Sequence, residues 1–438
     1  MKSPKEKYTS IPDKGRIAYR EYVLIVLMLT FSLQYLDRQI IIVLAEPIKN
    51  EFDLSDSQLG LLGGLVFGIP YSLMLIPVGV MVDRLNRRNI LAGALFVWSF
   101  LTVLTGLARN LLDMILCRTI IAAAESSNNP STLSMLSDYY DKRRRSTAIG
   151  IYYAAPAIAT IIGFPVIGLI ANNFGWRAAF LAAGIPGLLV TFLILMTVRE
   201  PKREHASEMP ARQKAPSLIE TLKFIGSQKS LWMLMLAMML TSFVVSAQIA
   251  WMSPLLMRTH GLNLVDAAIA ISLAFGLMTT LGQISGGFIV DWLARFNVAW
   301  IGWFAAICAA GAGILMIASA LSPQSWMAIA LLACWAVPNG AHYGPIMGTV
   351  QGLVTSRMRG VTNSCMGLGI NLLGAGLGPL AVGILSDSYS VAGDHFSIAW
   401  ALASIALLQF VTMGLFYFAS KYLKQDMVRA EAAVSLTS

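Results

Sequence analysis

The sequence has 438 residues, of which 56% are hydrophobic and only 13% are charged, and its mean hydropathy is +0.67. About a quarter of the residues of a soluble domain are charged, so this composition excludes an ordinary soluble protein and indicates a membrane protein. The formal net charge of +9 would suit a nucleic-acid-binding protein, but the basic residues lie mostly in short stretches between apolar segments, which argues against that class.

Residues 1–20 are polar and contain no apolar core of the kind found in a cleavable signal peptide, so we expect the first apolar segment to stay in the membrane. Twelve apolar segments follow, each long enough to cross a hydrocarbon core of roughly 30 Å. We number them as spans 1 to 12, near residues 22–46, 57–82, 88–108, 111–137, 146–171, 177–198, 230–257, 264–290, 297–320, 325–354, 358–386 and 396–420.

The positions of Lys and Arg predict how these spans are oriented. With the N-terminus in the cytoplasm, the inner loops and tails hold 26 Lys and Arg, whereas the outer loops hold only Lys49, Arg109, Arg177 and Arg258. This asymmetry follows the positive-inside rule, so we expect both termini in the cytoplasm and the protein in the inner membrane of a bacterium. The inner basic residues also favour contact with anionic lipid headgroups.

A basic segment from Arg199 to Lys229 is the only long polar connection between spans, and it divides the chain into two sets of six. Internal repeats support this division. GVMVDRLNRRN at 79–89 matches GFIVDWLARFN at 287–297, and RRRSTAIG at 143–150 matches RMRGVTNS at 357–364. Repeated six-helix halves are typical of secondary transporters. We expect a cytoplasmic tail at 1–20, a six-helix bundle at 21–199, a cytoplasmic linker at 200–229, a second bundle at 230–422 and a cytoplasmic tail at 423–438.

The pattern GxxxDRxxRR at 79–88 resembles the signature loop of the major facilitator superfamily. Further stretches resemble its Spinster-like branch, whose characterised members move sphingoid phosphates and lysophospholipids. They are YLDR at 35–38, LSDSQLGLLGG at 54–64, SDYYDKRRRSTAIGIYY at 137–153 and FGWRAAFLAAGIPGLL at 174–189. The resemblance implies an all-α membrane protein with twelve transmembrane helices in two pseudo-symmetric six-helix bundles. In span 4, the chain has AAAESSNNP at 122–130 where family members often show Gly-x-Gly-Glu.

Four ionisable residues interrupt the apolar spans 1 and 4. Asp37 and Arg38 lie far along span 1, whereas Arg118 and Glu125 are seven residues apart in span 4, which places both on one helix face. Because span 1 runs outward and span 4 inward, three of these charges should share a depth in the outer half, with Glu125 nearer the midplane. In the superfamily both spans line the central cavity, so the resemblance implies that the four residues face one another.

Ionisable residues inside a membrane are costly and usually functional, so we predict a proton-coupling site at Asp37 and Glu125. The planar guanidinium groups of Arg38 and Arg118 predict binding of a phosphate or carboxylate on the substrate. The alternative is a buried ionic lock that only fixes helix register. A lone membrane histidine is more often a packing residue, but one is included among the other predicted substrate contacts, which are Tyr35, Asn128, Gln248, His342, Tyr343 and Asn371.

The repeated loops predict a gate on the cytoplasmic side. Gly79 would permit close approach of a neighbouring helix, and Asp83 would face the positive N-terminal end of span 11 near Arg359. Such contacts would close the cytoplasmic side in an outward-facing state, although the basic residues can equally act only in setting topology. The predicted gate residues are Gly79, Asp83, Arg84, Arg87, Arg88, Asp291 and Arg359.

Together these features predict a proton-linked secondary transporter of an amphipathic lysolipid or sphingoid-phosphate-like molecule. Its headgroup would bind the first half and its acyl chain the apolar second half. The nearest alternative is a proton-coupled symporter of a small organic anion such as a sugar acid. A membrane ligand sensor that does not transport is an alternative from another class.

We expect no enzyme activity, no cofactor and no metal site. The four cysteines lie inside apolar segments without metal-ligand spacing, and no nucleophile–base arrangement or phosphate-cradling loop is evident in the sequence. The expected partners are the amphipathic substrate, protons and the lipid bilayer, with no nucleic acid, and we expect a monomer.

Overall fold

A computed structural model describes residues 13–201, 218–355, 358–390 and 396–435. Over these ranges the chain is helical, with no β-strand. Most of the predicted tail at 1–20, about half of the predicted linker at 200–229, the last residues of the predicted tail at 423–438 and Arg357 of the second repeat lie outside the described residues.

The first six spans form one bundle. Span 1 is a single helix that is followed by a short helix at Ala45–Phe52, and spans 2, 4 and 5 each consist of consecutive pieces. The bounds are Asp13–Val43 for span 1, Asp56–Gly63 and Leu65–Arg84 for span 2, Arg87–Thr105 for span 3, Leu111–Glu125 and Asn128–Tyr139 for span 4, Lys142–Tyr152, Ala155–Ile158, Ala159–Gly163 and Phe164–Phe174 for span 5, and Trp176–Thr197 for span 6.

The second bundle begins after a short helix at Leu218–Ser227. Spans 8, 10, 11 and 12 again consist of consecutive pieces. The bounds are Lys229–His260 for span 7, Leu264–Ile271, Ser272–Leu277 and Met278–Ala294 for span 8, Trp300–Ala320 for span 9, Ser325–Ala341 and Tyr343–Gly352 for span 10, Arg359–Gly369, Ile370–Leu377 and Gly378–Ser390 for span 11, and Ser397–Ala406 and Leu408–Ser435 for span 12.

The connections between spans define two sides of the molecule. We call the side that holds the connections near 84–87, 139–142, 197–229, 294–300 and 352–359 the linker side. The side that holds those near 43–56, 105–111, 174–176, 260–264, 320–325 and 390–397 is the far side. The linker side is the one predicted to be cytoplasmic.

Ten of the spans are long and apolar enough, within the described residues, to cross a membrane as they stand. Spans 4 and 10 are not among these ten, and each is broken near its middle. In span 4 the break at 126–127 precedes Pro130, which has no amide hydrogen for the carbonyl of Ser126. In span 10 the break falls at His342, four residues after Pro338.

Spans 5 and 11 contain π-helical stretches at Ala159–Gly163 and Ile370–Leu377. Each stretch is followed by a proline, Pro165 or Pro379, which has no amide hydrogen for the carbonyl four residues earlier. The local change of hydrogen-bond register accommodates this loss. Both helices therefore have a structural reason to bend near their middle.

The two halves pack closely on the far side. At Gly60 of span 2, an added methyl group would lie 2.5 Å from the carbonyl oxygen of Pro379 in span 11. Spans 5 and 8 meet similarly, where a methyl group at Gly168 would lie 2.8 Å from the Cβ of Ala268. Small residues allow helix backbones to approach in a membrane, so these contacts close the space between the halves on the far side.

Toward the linker side the halves diverge. Gly79, which we predicted to allow close helix approach, has open space where a side chain would be. Tyr153 of the first half and Tyr343 of the second are 50% and 41% exposed. The space between the halves is therefore open toward the linker side.

Candidate functional site

Arg118 of span 4 ties the two charged spans together. The residue is 2% exposed. Its Nη1 donates to the backbone carbonyl of Asp37 at 3.0 Å, and its Nη2 donates to the carbonyl of Arg38. The guanidinium also lies 4.9 Å from the ring centroid of Phe67. Arg118 thus binds the backbone of span 1 and positions Asp37 and Arg38. The Nε of Arg118 has no hydrogen-bond partner among the described groups.

Asp37 and Glu125 form a buried acidic pair. Asp37 is 4% exposed and Glu125 is fully buried, and their carboxyl groups are near enough to interact electrostatically. Thr102 donates to Oδ1 of Asp37 at 2.7 Å, whereas Oδ2 of Asp37 and both carboxyl oxygens of Glu125 have no hydrogen-bond partner among the described groups. Two adjacent buried carboxylates repel each other, so a single proton between them would satisfy oxygens that are otherwise unpaired.

The break in span 4 is held by span 1 through Gln34, which the sequence analysis did not identify. Its Nε2 donates to the backbone carbonyl of Glu125 at 2.9 Å, and its Oε1 accepts from the side chain of Asn128. Asn128 also donates to the hydroxyl of Tyr152 at 3.4 Å. The predicted substrate contact Asn128 is therefore fully buried in a network that supports the helix break. Gln34 lies one helical turn before Asp37 and therefore on the same face of span 1, and this spacing could have identified it from the sequence.

Arg38 faces the second half. Its guanidinium lies 4.7 Å from the ring centroid of Phe67 and 5.5 Å from that of Tyr71. Its Nη2 donates to Oδ1 of Asn371 in span 11 at 3.4 Å, so the structure brings these two predicted substrate residues together across the interface. A guanidinium stacked on aromatic rings keeps its planar donor edge available to an anion.

A cavity of about 90 Å³ lies beside Arg38, between the halves. Span 1 contributes Tyr35, Arg38 and Gln39 to its wall, and the second half contributes Ser246 and Pro379. Sites for drug-sized ligands measure roughly 300 to 1,000 Å³, so this cavity suits a headgroup or a small anion. One cation and several hydrogen-bonding side chains suit a compact anionic group.

Asn371 contacts Arg38 but does not line this cavity, and neither do the other predicted contacts of the second half. Gln248 is fully buried, and neither polar atom of its side chain has a partner among the described groups. Nδ1 of His342 lies 2.8 Å from the carbonyl of Pro338, and the ring packs on Phe416 at 5.6 Å between centroids. His342 thus stabilises the break in span 10, which accounts for its position without a ligand. Tyr343 faces the open linker-side space.

Arg87 is the best-buried of the predicted gate residues, at 2% exposed. It forms salt bridges with Asp138 at the end of span 4 and with Glu200 after span 6. The backbone amide of Arg88 donates to the second carboxyl oxygen of Glu200 at 2.9 Å. In this state these contacts join elements of the first half to one another.

The remaining gate residues lie at the exposed linker-side ends of their helices. Nε of Arg359 donates to the carbonyl of Gln351 at 3.1 Å, again within one half. Arg84 and Asp291 are exposed at the linker-side ends of spans 2 and 8.

An ionic network that was not predicted from the sequence joins the halves on the far side. Arg258 of span 7 donates to Glu46 at 2.7 Å and to both carboxyl oxygens of Asp56 at 2.8 and 2.9 Å. Glu46 and Asp56 are 7% and 3% exposed. Asp387 of span 11 accepts from the backbone amides of Asp56 and Ser57, which begin span 2, at 2.9 and 2.8 Å. We call Glu46, Asp56, Arg258 and Asp387 the far-side clamp.

The only signal for the clamp in the sequence is that Arg258 is one of four basic residues on the predicted outer side. Its acidic partners precede it by 212 and 202 residues, a separation that no local pattern reveals.

The fold and the buried charges define a membrane transporter built from two six-helix halves. The family model of the Major Facilitator Superfamily matches residues 27–379. The chain therefore belongs to the Major Facilitator Superfamily, as predicted.

A solved structure supports the predicted branch as well. The crystal structure of a bacterial homologue of the human lysosomal transporter Spinster, in an inward-facing and unoccupied conformation, is similar to this chain with a TM-score of 0.82. The two chains are 28% identical, and the match covers 93% of this chain and 98% of that one. The predicted twelve-span fold and the Spinster-like resemblance are confirmed.

Relatives with assigned names are transporters of several kinds. An MFS-type efflux pump of Mycolicibacterium smegmatis is 29% identical over 79% of this chain and 80% of that protein. A probable L-galactonate transporter of Escherichia coli is 25% identical over 62% of each chain. The sphingosine-1-phosphate transporter SPNS2 of Danio rerio is 28% identical over 52% of this chain and 46% of that protein. The chain thus spans about three fifths of the second relative and under half of the third.

Proposed function

We propose that this protein is a proton-linked secondary transporter that moves an amphipathic, anionic substrate of the lysolipid or sphingoid-phosphate class by alternating access. The observation that carries the proposal is the position of the buried pair Asp37 and Glu125 directly behind Arg38, which borders the cavity between the halves. Asp37 of the proposed proton site and Arg38 of the proposed anion site are thereby adjacent on one helix, while Glu125 belongs to span 4.

The arrangement offers a direct route to coupling. Arg118 and Glu125 lie on one helix of span 4, and Arg118 bonds the backbone carbonyls of Asp37 and Arg38 in span 1, so movement of span 1 against span 4 changes the distance of Asp37 from both residues. Proton affinity at the acids depends on that distance, and a change of state that alters it couples proton binding to the movement. An anion bound at Arg38 would also change the electrostatic environment of the two acids and hence their proton affinity.

The substrate would bind with its headgroup at Arg38 and Asn371 and its acyl chain toward the open linker side. Phe67 and Tyr71 behind the guanidinium make this end of the site partly aromatic. Similarity to a bacterial Spinster homologue and to a sphingosine-1-phosphate transporter supports a lipid-like substrate.

Alternating access would require the far-side clamp to open and the linker side to close. We propose that the linker side is cytoplasmic, because of its excess of Lys and Arg, and that the protein acts as a monomer in a bacterial inner membrane. The predicted gate residues around Asp83 and Arg359 would then meet in the outward-facing state.

A proton-coupled symporter of a small organic anion is the second candidate. The observation that favours it is the small volume of the cavity beside Arg38 and its polar lining from both halves. The similarity to a probable L-galactonate transporter has the same implication.

Flux measurements in proteoliposomes test both candidates. We expect faster uptake of a lysophospholipid or sphingosine phosphate under a pH gradient than without one, and no such uptake of L-galactonate. Glu125→Gln and Asp37→Asn should abolish the effect of the gradient, whereas the exposed far-side Asp266→Asn should not. Flux of the sugar acid alone would favour the second candidate, and binding without flux of either would overturn transport.

A further inference from the structure

Glycines in spans 9 and 12 of the second half are of two kinds. A methyl group at Gly302 would lie 2.6 Å from the Cβ of Ser420, so this glycine allows the two helices to pack. At Gly311 and Gly414, in contrast, a methyl group would have no atom of a neighbouring helix within 4 Å. Glycine destabilises a helix relative to alanine, so neither packing nor helix formation explains these two residues.

Gly311 and Gly414 line an apolar groove of about 900 Å³ between spans 9 and 12. Its walls include Trp303, Ile307 and Phe418, and the last two side chains are 64% and 52% exposed. Span 9 packs on spans 8, 10 and 12 of its own half, and span 12 packs on spans 7, 9 and 11. The groove is therefore on the outer face of the second half, away from the cavity beside Arg38.

One end of the groove has the composition of a membrane–water interface. Trp300, the first residue of span 9, and Tyr417 of span 12 line this end, and both residue types concentrate at that interface. Lys421 lies one turn nearer the linker side, with its ammonium 4.7 Å from the ring centroid of Tyr417 and 5.2 Å from that of Phe418. No carboxylate within the described residues forms a salt bridge with Lys421.

The length of the groove matches one leaflet. From Trp300 to Gly311 the helical rise gives about 16 Å, close to half of a hydrocarbon core of roughly 30 Å. We propose that the groove binds one anionic phospholipid of the linker-side leaflet. An acyl chain would lie over Gly311 and Gly414, and the phosphate would meet Lys421, which is the charge complementarity that selects an anionic lipid.

The full-length protein, purified in detergent and titrated with phosphatidylglycerol or phosphatidylcholine, tests this proposal by native mass spectrometry. We expect one phosphatidylglycerol per chain to bind in preference to phosphatidylcholine. Lys421→Gln should weaken phosphatidylglycerol binding about fivefold, the order expected for one lysine beside an anionic membrane. Lys223→Gln, an exposed lysine in the helix between the halves, is the matched control and should leave binding unchanged.

A Cβ at Gly414 would meet no neighbouring helix, so Gly414→Leu should fill the groove and weaken binding of both lipids while the melting temperature without lipid stays the same or rises. Unchanged phosphatidylglycerol binding in Lys421→Gln, or an equal loss in Lys223→Gln, would overturn the proposal. A dimer that Gly414→Leu dissociates would assign the groove to a second copy of the chain. Preference for a lysophospholipid over the two-chain lipid would assign it to the transported class. Either result overturns the assignment to a resident phospholipid.

Discussion

Replacement of Arg258 by glutamine should release the far side of the protein. In the closed far side, Arg258 makes hydrogen bonds to Glu46 and Asp56, which are both buried. Removing one partner of a buried ion pair costs about 3 to 5 kcal/mol. The Arg258 side chain is 22% exposed and Lys49 still contacts Asp56, so we reduce this cost to about 2 kcal/mol.

This cost falls on the closed form alone, because the two carboxylates become solvated when the far side opens. A change of about 2 kcal/mol shifts the equilibrium between closed and open far sides by about 30-fold. Arg177→Gln is a matched control, because Arg177 also lies on the far side but pairs with Glu51 of its own half. We expect the control to leave the equilibrium unchanged.

Distances between spin labels measure this equilibrium. One pair, at Asn173 and Gln324, reports on the far side, and a second pair, at Leu85 and Phe296, reports on the linker side. The four cysteines are free and can be replaced by serine beforehand. Longer far-side distances in Arg258→Gln, with shorter linker-side distances, are the expected result. If both variants match the parent, the far side is held by close helix packing and the reasoning from the ionic network is refuted.

Three further predictions concern single charges. Arg118→Lys should lower proteoliposome flux about tenfold, because a point charge cannot bond two backbone carbonyls in the plane of a guanidinium. Full flux in this variant would show that Arg118 only balances the negative charge of the nearby acids. Asp83→Asn should disfavour the form with a closed linker side by about 1 to 2 kcal/mol, or roughly 5- to 30-fold, which slows turnover; an unchanged linker-side label distance would contradict the gating role. Hydrogen bonds from Arg177 and Trp176 lower the pKa of Glu51, so their stabilisation is present at neutral pH and is lost as the pH falls through the lowered pKa. Glu51→Gln should therefore show a smaller drop in melting temperature than the parent between about pH 6 and pH 3, and equal drops would contradict it.

The sequence alone was sufficient to predict the membrane spans, the division into two halves and the ionisable residues inside the spans. Apolar length is a local property, so twelve spans could be recognised, and the repeated DR and DW loops after spans 2 and 8 marked the halves. Asp37, Arg38, Arg118 and Glu125 were recognisable because a charge inside an apolar helix is costly and therefore rare. The breaks of spans 4 and 10 were not predicted, although prolines at 130 and 338 were visible, because a proline in a helix permits a kink as readily as a break.

The partners of these charges were decided only by tertiary structure. Sequence spacing places a residue on a helix face and at a depth, but which atoms it meets depends on which helices cross there. Arg118 reaches backbone carbonyls that any residues at 37 and 38 would supply, and Arg258 reaches Asp56 across 202 residues. The close contact of spans 2 and 11 lies at Gly60 on the far side and not at Gly79 on the linker side. Both glycines suit a close helix contact, and sequence does not record at which end two helices touch.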